Sequence, residues 1–340
     1  MKKYLLIIAK YSGLFFLARA LTAKKIRVLA YHGIWVGEGH YGNFLYMSAD
    51  RFANRMALLK KWGYPVITFS EQFEAIEGTL RCPTMITIDD GWHGTWSAML
   101  PALEEHGFPA TVYLTTYYCL NQAPVIDVAL GYCLSAVDIN AGKTFHLPAF
   151  DMDPVTIDSE ITRGKVLAQV KELSASLAND EARQRLLKSV CEQTNVNHNE
   201  MTRGRWFHLM NPMEVRDAAR RGIKFEAHTH CHRTAHMGED CLAEEISANI
   251  DCIRELTGET PRHFCYPSGV YSENMWPVLR SCDIASATTT EIGLVDDKTN
   301  PYAIPRILDG QYVTEIEFEA EMCGFSELTR VVRRLVKRKQ

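Results

Sequence analysis

Thr84-Met85-Ile86-Thr87-Ile88-Asp89-Asp90-Gly91 is the stretch that decides the fold of this 340-residue chain. An apolar, β-branched run enters two acids and a glycine without a break. That is the signature of a strand buried on both faces and ended by a turn. The same pattern recurs on either side. Ile26-Arg27-Val28-Leu29-Ala30-Tyr31 leads into His32-Gly33, and Ile223-Lys224-Phe225-Glu226-Ala227 leads into His228. Further strands are expected at Val66-Ile67-Thr68 and Ala110–Leu114, and near 263–266, 284–289 and 303–307. Helices fall between them. Phe52, Met56, Leu59 and Trp62 share one helical face that Gly63-Tyr64-Pro65 ends. Others are expected over 71–76, 95–105, 212–221 and 239–256. About eight strands alternating with helices predict a parallel sheet covered by helices. Closure into a (β/α) barrel removes the sheet edges and gathers the carboxyl ends of the strands on one rim.

From about Cys119 to Glu200 the alternation stops. The segment is rich in helix formers and too long for a connecting loop, so it reads as an inserted helical segment. The expected organisation is an apolar and basic helix over residues 1–25, a barrel domain over 26–310 carrying the insert at about 119–200, and a segment over 311–340 ending in a basic helix.

Composition is that of an ordinary globular protein, with 46% hydrophobic and 23% charged residues. A formal net charge of −4 gives no reason to expect nucleic acid as a partner. Ten cysteines without a C-x-x-C pair read as reduced thiols, and their even number leaves disulfides open. Near the start, Lys10 splits the apolar runs Tyr4–Ala9 and Leu14–Ala18, and Arg19 follows. A helix that lies on a membrane surface or is tucked against the protein fits this best. A cleaved signal using Ala18-Arg19-Ala20 and a spanning anchor are the alternatives, the anchor made costly by its two cations. Arg330, Arg333, Arg334, Lys337, Arg338 and Lys339 alternate with Val331, Val332, Leu335 and Val336. This is a second helix able to face a membrane, with a solvated terminal helix as the default. The expected location is cytoplasmic with membrane-surface association through these two helices, or periplasmic or secreted if residues 1–20 are a signal.

Three polar clusters sit at predicted strand ends. Adjacent acids such as Asp89 and Asp90 repel, and a nearby cation favours keeping both ionised. Asp-Asp-Gly is also ordinary turn chemistry. His228-Thr229-His230-Cys231-His232 places two imidazoles four residues apart, and with one aspartate they form a three-ligand set of the kind catalytic zinc uses. A separation beyond about 8 Å would exclude a shared ion with bonds near 2 Å. His32 ends the first strand on the same rim. Gly37-x-Gly39-x-x-Gly42 formally matches a dinucleotide fingerprint but lacks the βαβ frame.

These residues resemble the polysaccharide deacetylases, carbohydrate esterases that share the NodB-homology fold. Thr87-Ile88-Asp89-Asp90-Gly91 is similar to the family's T-F-D-D-G motif, and His228–His232 to its H-[ST]-x-x-H motif, with Arg233 where proline often follows. Phe264-Cys265-Tyr266-Pro267-Ser268-Gly269 resembles a variant of the third motif. The resemblance implies a distorted (β/α) barrel and hydrolysis of N-acetyl groups on amino sugars of a polysaccharide or glycan precursor. Asp89 would be the general base, and Asp90, His228 and His232 would hold a divalent metal, zinc first, with cobalt, nickel and manganese as alternatives. Thr229 would orient the histidine loop. Tyr31-His32 is similar to the Y-H sequence of biofilm poly-N-acetylglucosamine deacetylases, which makes His32 the candidate general acid. The arginine of the commoner third motif is missing, and Arg306, read at a strand end, is the candidate replacement. Trp92 and Tyr266, with Tyr271 and Trp276, are candidate sugar-stacking surfaces. Pro267 has no N–H, so Ser268 or its neighbour would donate to the oxyanion. The partner would be an N-acetylated glycan or a lipid-linked sugar. The alternatives are a catalytically weakened carbohydrate-binding homologue and a hydrolase of a non-sugar amide on the same fold.

Overall fold

Strands with apolar side chains on both faces need cover on both faces, and here they obtain it by closing on themselves. The computed structural model describes residues 2–37, 46–71, 78, 80–234 and 237–337. Seven parallel strands form a closed barrel: β1 Arg27–Tyr31, β2 Thr84–Asp90, β3 Thr111–Leu114, β4 Lys224–Ala227, β5 His263–Cys265, β6 Ser286–Ile292 and β7 Ile304–Leu308. They follow one another around the ring in chain order, and β7 pairs with β1. Leu29 lies opposite both Ile86 and Ile307, and Ile88 opposite Val112.

Eight strands were expected. The eighth, at 66–68, is a single parallel bridge between Val66 and Thr84. Pro65 has no N–H to extend a ladder, and the chain turns at Phe69–Glu71. The helix expected over 71–76 lies largely outside the described residues, as do Gly39 and Gly42.

Helix ends are set by local chemistry. The helix after β1 starts at Ala49 because Ser48 Oγ accepts the N–H of Arg51, and it stops at Gly63, which takes φ 65°. The helix expected from Thr95 opens with a wide π turn over Thr95–Met99 and becomes α-helical over Leu100–His106. Asn211 and Glu214 form a capping box at the head of Pro212–Arg220.

Between β3 and β4 the chain leaves the barrel. Helices Ile126–Ser135, Glu160–Ser176 and Asp180–Thr194 enclose a separate core that includes Leu130, Val166, Leu187 and Phe207. The segment also contains an antiparallel hairpin, Lys143–Leu147 with Met152–Ile157, which a purely helical reading missed. Its period-two alternation is confined to Phe145, Leu147 and Ile157, too short to stand out.

Residues of the two chain ends meet under β1. Helices Lys2–Tyr11 and Leu14–Leu21 are bent 80° from each other, and among the described residues no single helix is long and apolar enough to cross a membrane. Helices Glu315–Met322 and Phe325–Lys337 pack against them, with Phe15 and Phe325 at 5.2 Å between ring centroids.

Two imidazoles are held neutral inside the fold. His263, at the start of β5, is stacked on Phe69 and lies 2.8 Å from Ser286 Oγ. Burial, helped by Arg262, lowers its pKa to about 4. Burial with Arg205 and His93 lowers His208 to about 4 as well. Both values lie below that of an unfolded histidine, about 6.5. Their contribution is therefore whole above pH 6.5 and is lost as the pH falls toward 4. The expected result is that urea midpoints fall less between pH 6.5 and 4 in a His208→Gln/His263→Gln variant than in the unaltered chain. Equal losses would show that neither ring is protonated on unfolding.

Candidate active site

The carboxyl ends of β1, β2, β4 and β5 bring the polar clusters together. β2 carries Asp89 and Asp90 as its last two residues, and Asp90 turns out of the strand at φ 69°. Gly91 follows at φ 84°, and a Cβ there would meet Leu114 Cδ1 at 2.5 Å. Only glycine fits the turn that separates the two carboxylates.

Asp90 faces the histidine loop. Its Oδ1 lies 3.3 Å from His228 Nε2 and 3.3 Å from His232 Nε2. Two ligands about 2.1 Å from a tetrahedral ion stand about 3.4 Å apart, so the donor set fits one divalent ion of the zinc type. The three ligand atoms all lie within 4.8 Å of one another. His228 Nδ1 is 2.8 Å from Cys265 O, which makes that nitrogen an N–H donor and leaves Nε2 as the atom that faces Asp90. Burial opposes ionisation of Asp90, and hydrogen bonds from both imidazoles override it and hold the carboxyl well below its usual range.

The loop is templated by the helix Glu239–Thr257. Asn249 Oδ1 accepts the N–H of His228 at 2.9 Å, while its Nδ2 donates to Leu114 O and Thr116 Oγ1. Glu245 accepts the N–H of Cys231. Thr229 Oγ1 accepts the N–H of Arg233 across the loop. Asn249 was not singled out in the sequence, although a signal exists. It is a fully buried amide within the apolar stripe of Leu242, Ile246, Ile250 and Ile253.

Asp89 faces the other way, into the barrel. Arg306 reaches it with two parallel bonds, Nη1 to Oδ1 at 2.7 Å and Nη2 to Oδ2 at 2.8 Å. Arg306 sits in the middle of β7, not at the strand end where the sequence reading put it. Its remaining N–H groups go to Thr289 O, Thr87 Oγ1 and Cys265 Sγ, so all five donors are used. Burial would raise the Asp89 pKa, and Arg306 foremost, with His32, brings it down to about 2. His32 Nε2 lies 3.3 Å from Asp89 Oδ2. Burial lowers the His32 pKa against the pull of both aspartates.

The aromatic candidates stand differently from the expectation. Trp92 is 5% exposed and packs on Tyr46, and its Nε1 donates to Asp90 Oδ2 at 2.8 Å. It orients the Asp90 carboxylate and offers no open stacking face. Tyr266 is 1% exposed, stacked on Tyr271, and donates its hydroxyl to Tyr302 O. Its ring is part of the packing as well. Both rings are large enough to pay for full burial once their polar atoms find partners. Pro267 is buried and Ser268 exposed at φ 57°. The N–H of Gly269 is taken by Tyr266 O.

The family model described as Polysaccharide deacetylase matches residues 79–130 and 188–287. No curated protein matches the chain. Among solved structures, the Streptococcus pyogenes deacetylase PplD in complex with acetate is similar at TM-score 0.58 and 14% identity, covering 88% of this chain and 99% of that one. IcaB from Ammonifex degensii is similar at TM-score 0.55 and 14% identity, with 88% and 97% covered. BC0361, a polysaccharide deacetylase from Bacillus cereus, is similar at TM-score 0.53 and 16% identity, with 88% and 69% covered. Likenesses at such identities establish the barrel fold.

Arg306→Met leaves the Asp89 carboxylate buried without its cation, a change expected to cost ~3–5 kcal/mol in urea denaturation. Arg306→Lys keeps the charge without the paired fork and should recover only part of that. Undiminished stability in Arg306→Met would mean that another cation serves Asp89.

Proposed function

The chain belongs to the polysaccharide deacetylase family and is a hydrolase of carbon–nitrogen bonds other than peptide bonds, and from that premise we propose that it removes N-acetyl groups from the amino sugars of a glycan. One observation carries the reading. Two adjacent carboxylates are committed to different partners, Asp90 to an imidazole pair and Asp89 to a buried arginine beside His32. Hydrolysis of an acetamide needs that division between holding an electrophile and moving a proton.

Asp90, His228 and His232 would hold a divalent metal, zinc by the mixed carboxylate and imidazole donors. When bound, such an ion supplies Lewis-acid polarisation of the acetamide carbonyl and a water of lowered pKa. The rest is done by side chains. Asp89, kept ionised by Arg306, accepts a proton from the attacking water. His32 donates one to the departing amine from Nε2. A resting His32 of lowered pKa is largely neutral, and its contact with Asp89 gives it a route to the proton that Asp89 has just taken. The N–H of Ser268 would donate to the tetrahedral oxyanion, that of Gly269 being held by Tyr266 O. Arg306, bonded to Asp89 itself, supports a working active site over a weakened binding homologue.

The substrate on this reading is an N-acetylated glycan, free or lipid-linked, met at a membrane surface through the terminal helices. Residues 26–310 form the catalytic unit, with the insert at about 119–200.

Acetate release from N-acetylglucosamine oligomers by the zinc-loaded chain tests the proposal. Asp89→Asn should lower kcat by about 10²–10⁴ while bound zinc is retained. Asp90→Asn and His228→Ala should lose zinc and activity together. Full zinc content in either of those variants, or no acetate from any oligomer, would overturn it.

A further inference from the structure

We infer that the helices from the two chain ends form one surface that lies on an anionic membrane and points the catalytic rim away from it. The inference rests on the glycan-deacetylase reading only where it names a substrate: glycan segments standing clear of the lipid headgroups.

The outer faces of these helices are apolar at helical spacing. Tyr4, Leu5, Ile8 and Tyr11 are exposed on the helix Lys2–Tyr11, while Leu6 and Ala9 pack inward with Ala320. The next helix exposes Phe16, Leu17 and Leu21, with Phe16 at 82%. Val331, Val332, Leu335 and Val336 are exposed on Phe325–Lys337. Scattered exposed leucines need no explanation, but a run of them on three helices of one packed group does. Leu14–Leu21 meets Phe325–Lys337 through Phe15 and Phe325, and Lys10 Nζ is 2.6 Å from Glu319 Oε2. The inner faces thus hold the ends together and leave the outer ones without cover.

Charge selects the occupant. Residues 1–37 contain no acid, and neither do residues 328–340. Lys3, Lys24, Arg333 and Arg334 are exposed around the apolar faces. A second copy would bring like charges face to face, whereas anionic headgroups complement them. The first two helices are apolar enough together to span, but the 80° bend between them suits a surface-lying arrangement.

Attachment to the barrel fixes the orientation. Arg27 opens β1, and it donates from Nε to Met322 O at 2.9 Å and from Nη2 to Thr22 Oγ1 at 2.7 Å. Thr22 in turn donates to Cys323 O. The helices therefore hang from the amino ends of the strands. His32 and the two aspartates stand at the carboxyl ends, one length of β1 away, roughly 16 Å at about 3.3 Å per residue.

Flotation of the full chain with phosphatidylglycerol/phosphatidylcholine vesicles, read with hydrogen exchange on the floated fraction, tests this. Binding is expected to anionic vesicles, to fall at least tenfold in Phe16→Glu/Val332→Glu, and to weaken with salt and in Arg333→Glu/Arg334→Glu. Exchange should slow in residues 4–21 and 326–336 and stay unchanged in 89–95, 228–234 and 266–270. Equal binding to pure phosphatidylcholine, no binding, or a stable dimer that hides these helices would overturn the proposed occupant. Protection of the rim loops would overturn the orientation. None of these readouts depends on turnover, so a failed deacetylase assay would leave them standing and would remove only the substrate.

Discussion

Everything at the rim depends on keeping a carboxylate ionised where there is no water to solvate it. Asp89 is buried at the mouth of a closed barrel, and taking such a charge out of water costs several kcal/mol unless a partner is fixed in place. Arg306 is that partner, and it is itself immobilised by five acceptors drawn from β2, β5 and β6. The ring of strands is what makes this possible. β7 closes against β1, so an arginine from the last strand reaches an aspartate on the second. The neighbouring aspartate is released from that duty and turns outward to the histidines.

Much of this was legible in the residues. Runs of apolar, β-branched residues ending in Asp89-Asp90 or His228 announced strands with chemistry at their tips, and the barrel collects those tips on one face. The hidden parts have definite causes. Arg306 could be suspected from the missing third-motif arginine, but its depth inside β7 follows from barrel geometry that no local pattern encodes. Trp92 looked like a sugar platform because aromatic rings serve both roles, and only the indole N–H aimed at Asp90 decides between them. Asn249 was overlooked because a single amide in an apolar helical stripe is easily read as noise. The eighth strand failed for want of one N–H at Pro65.

A further layer was invisible in sequence. Asp90, Thr229, His232 and Ser268 all take positive φ without being glycine. Such conformations cost of order 1–3 kcal/mol each in the least favourable cases and persist only when surroundings enforce them. Here the enforcement is specific: Gly91 and Trp92 for Asp90, and Asn249, Glu245 and the Thr229 hydroxyl for the histidine loop. The Asp90 carboxylate and the two imidazoles are thus held in place by a frame of hydrogen bonds, within 4.8 Å of one another.

The joining of residues 22–27 to residues 322–324 also bears on how the protein is made. A ribosome delivers Arg27 about 300 residues before Met322, whose carbonyl accepts its Nε–H. At ~5–20 residues per second, that interval is on the order of tens of seconds. During it, β1 lacks one neighbouring strand and the Arg27 guanidinium lacks one of its acceptors. Ring closure waits until residues 304–308 have been made, and until then the nascent chain keeps an open edge at β1.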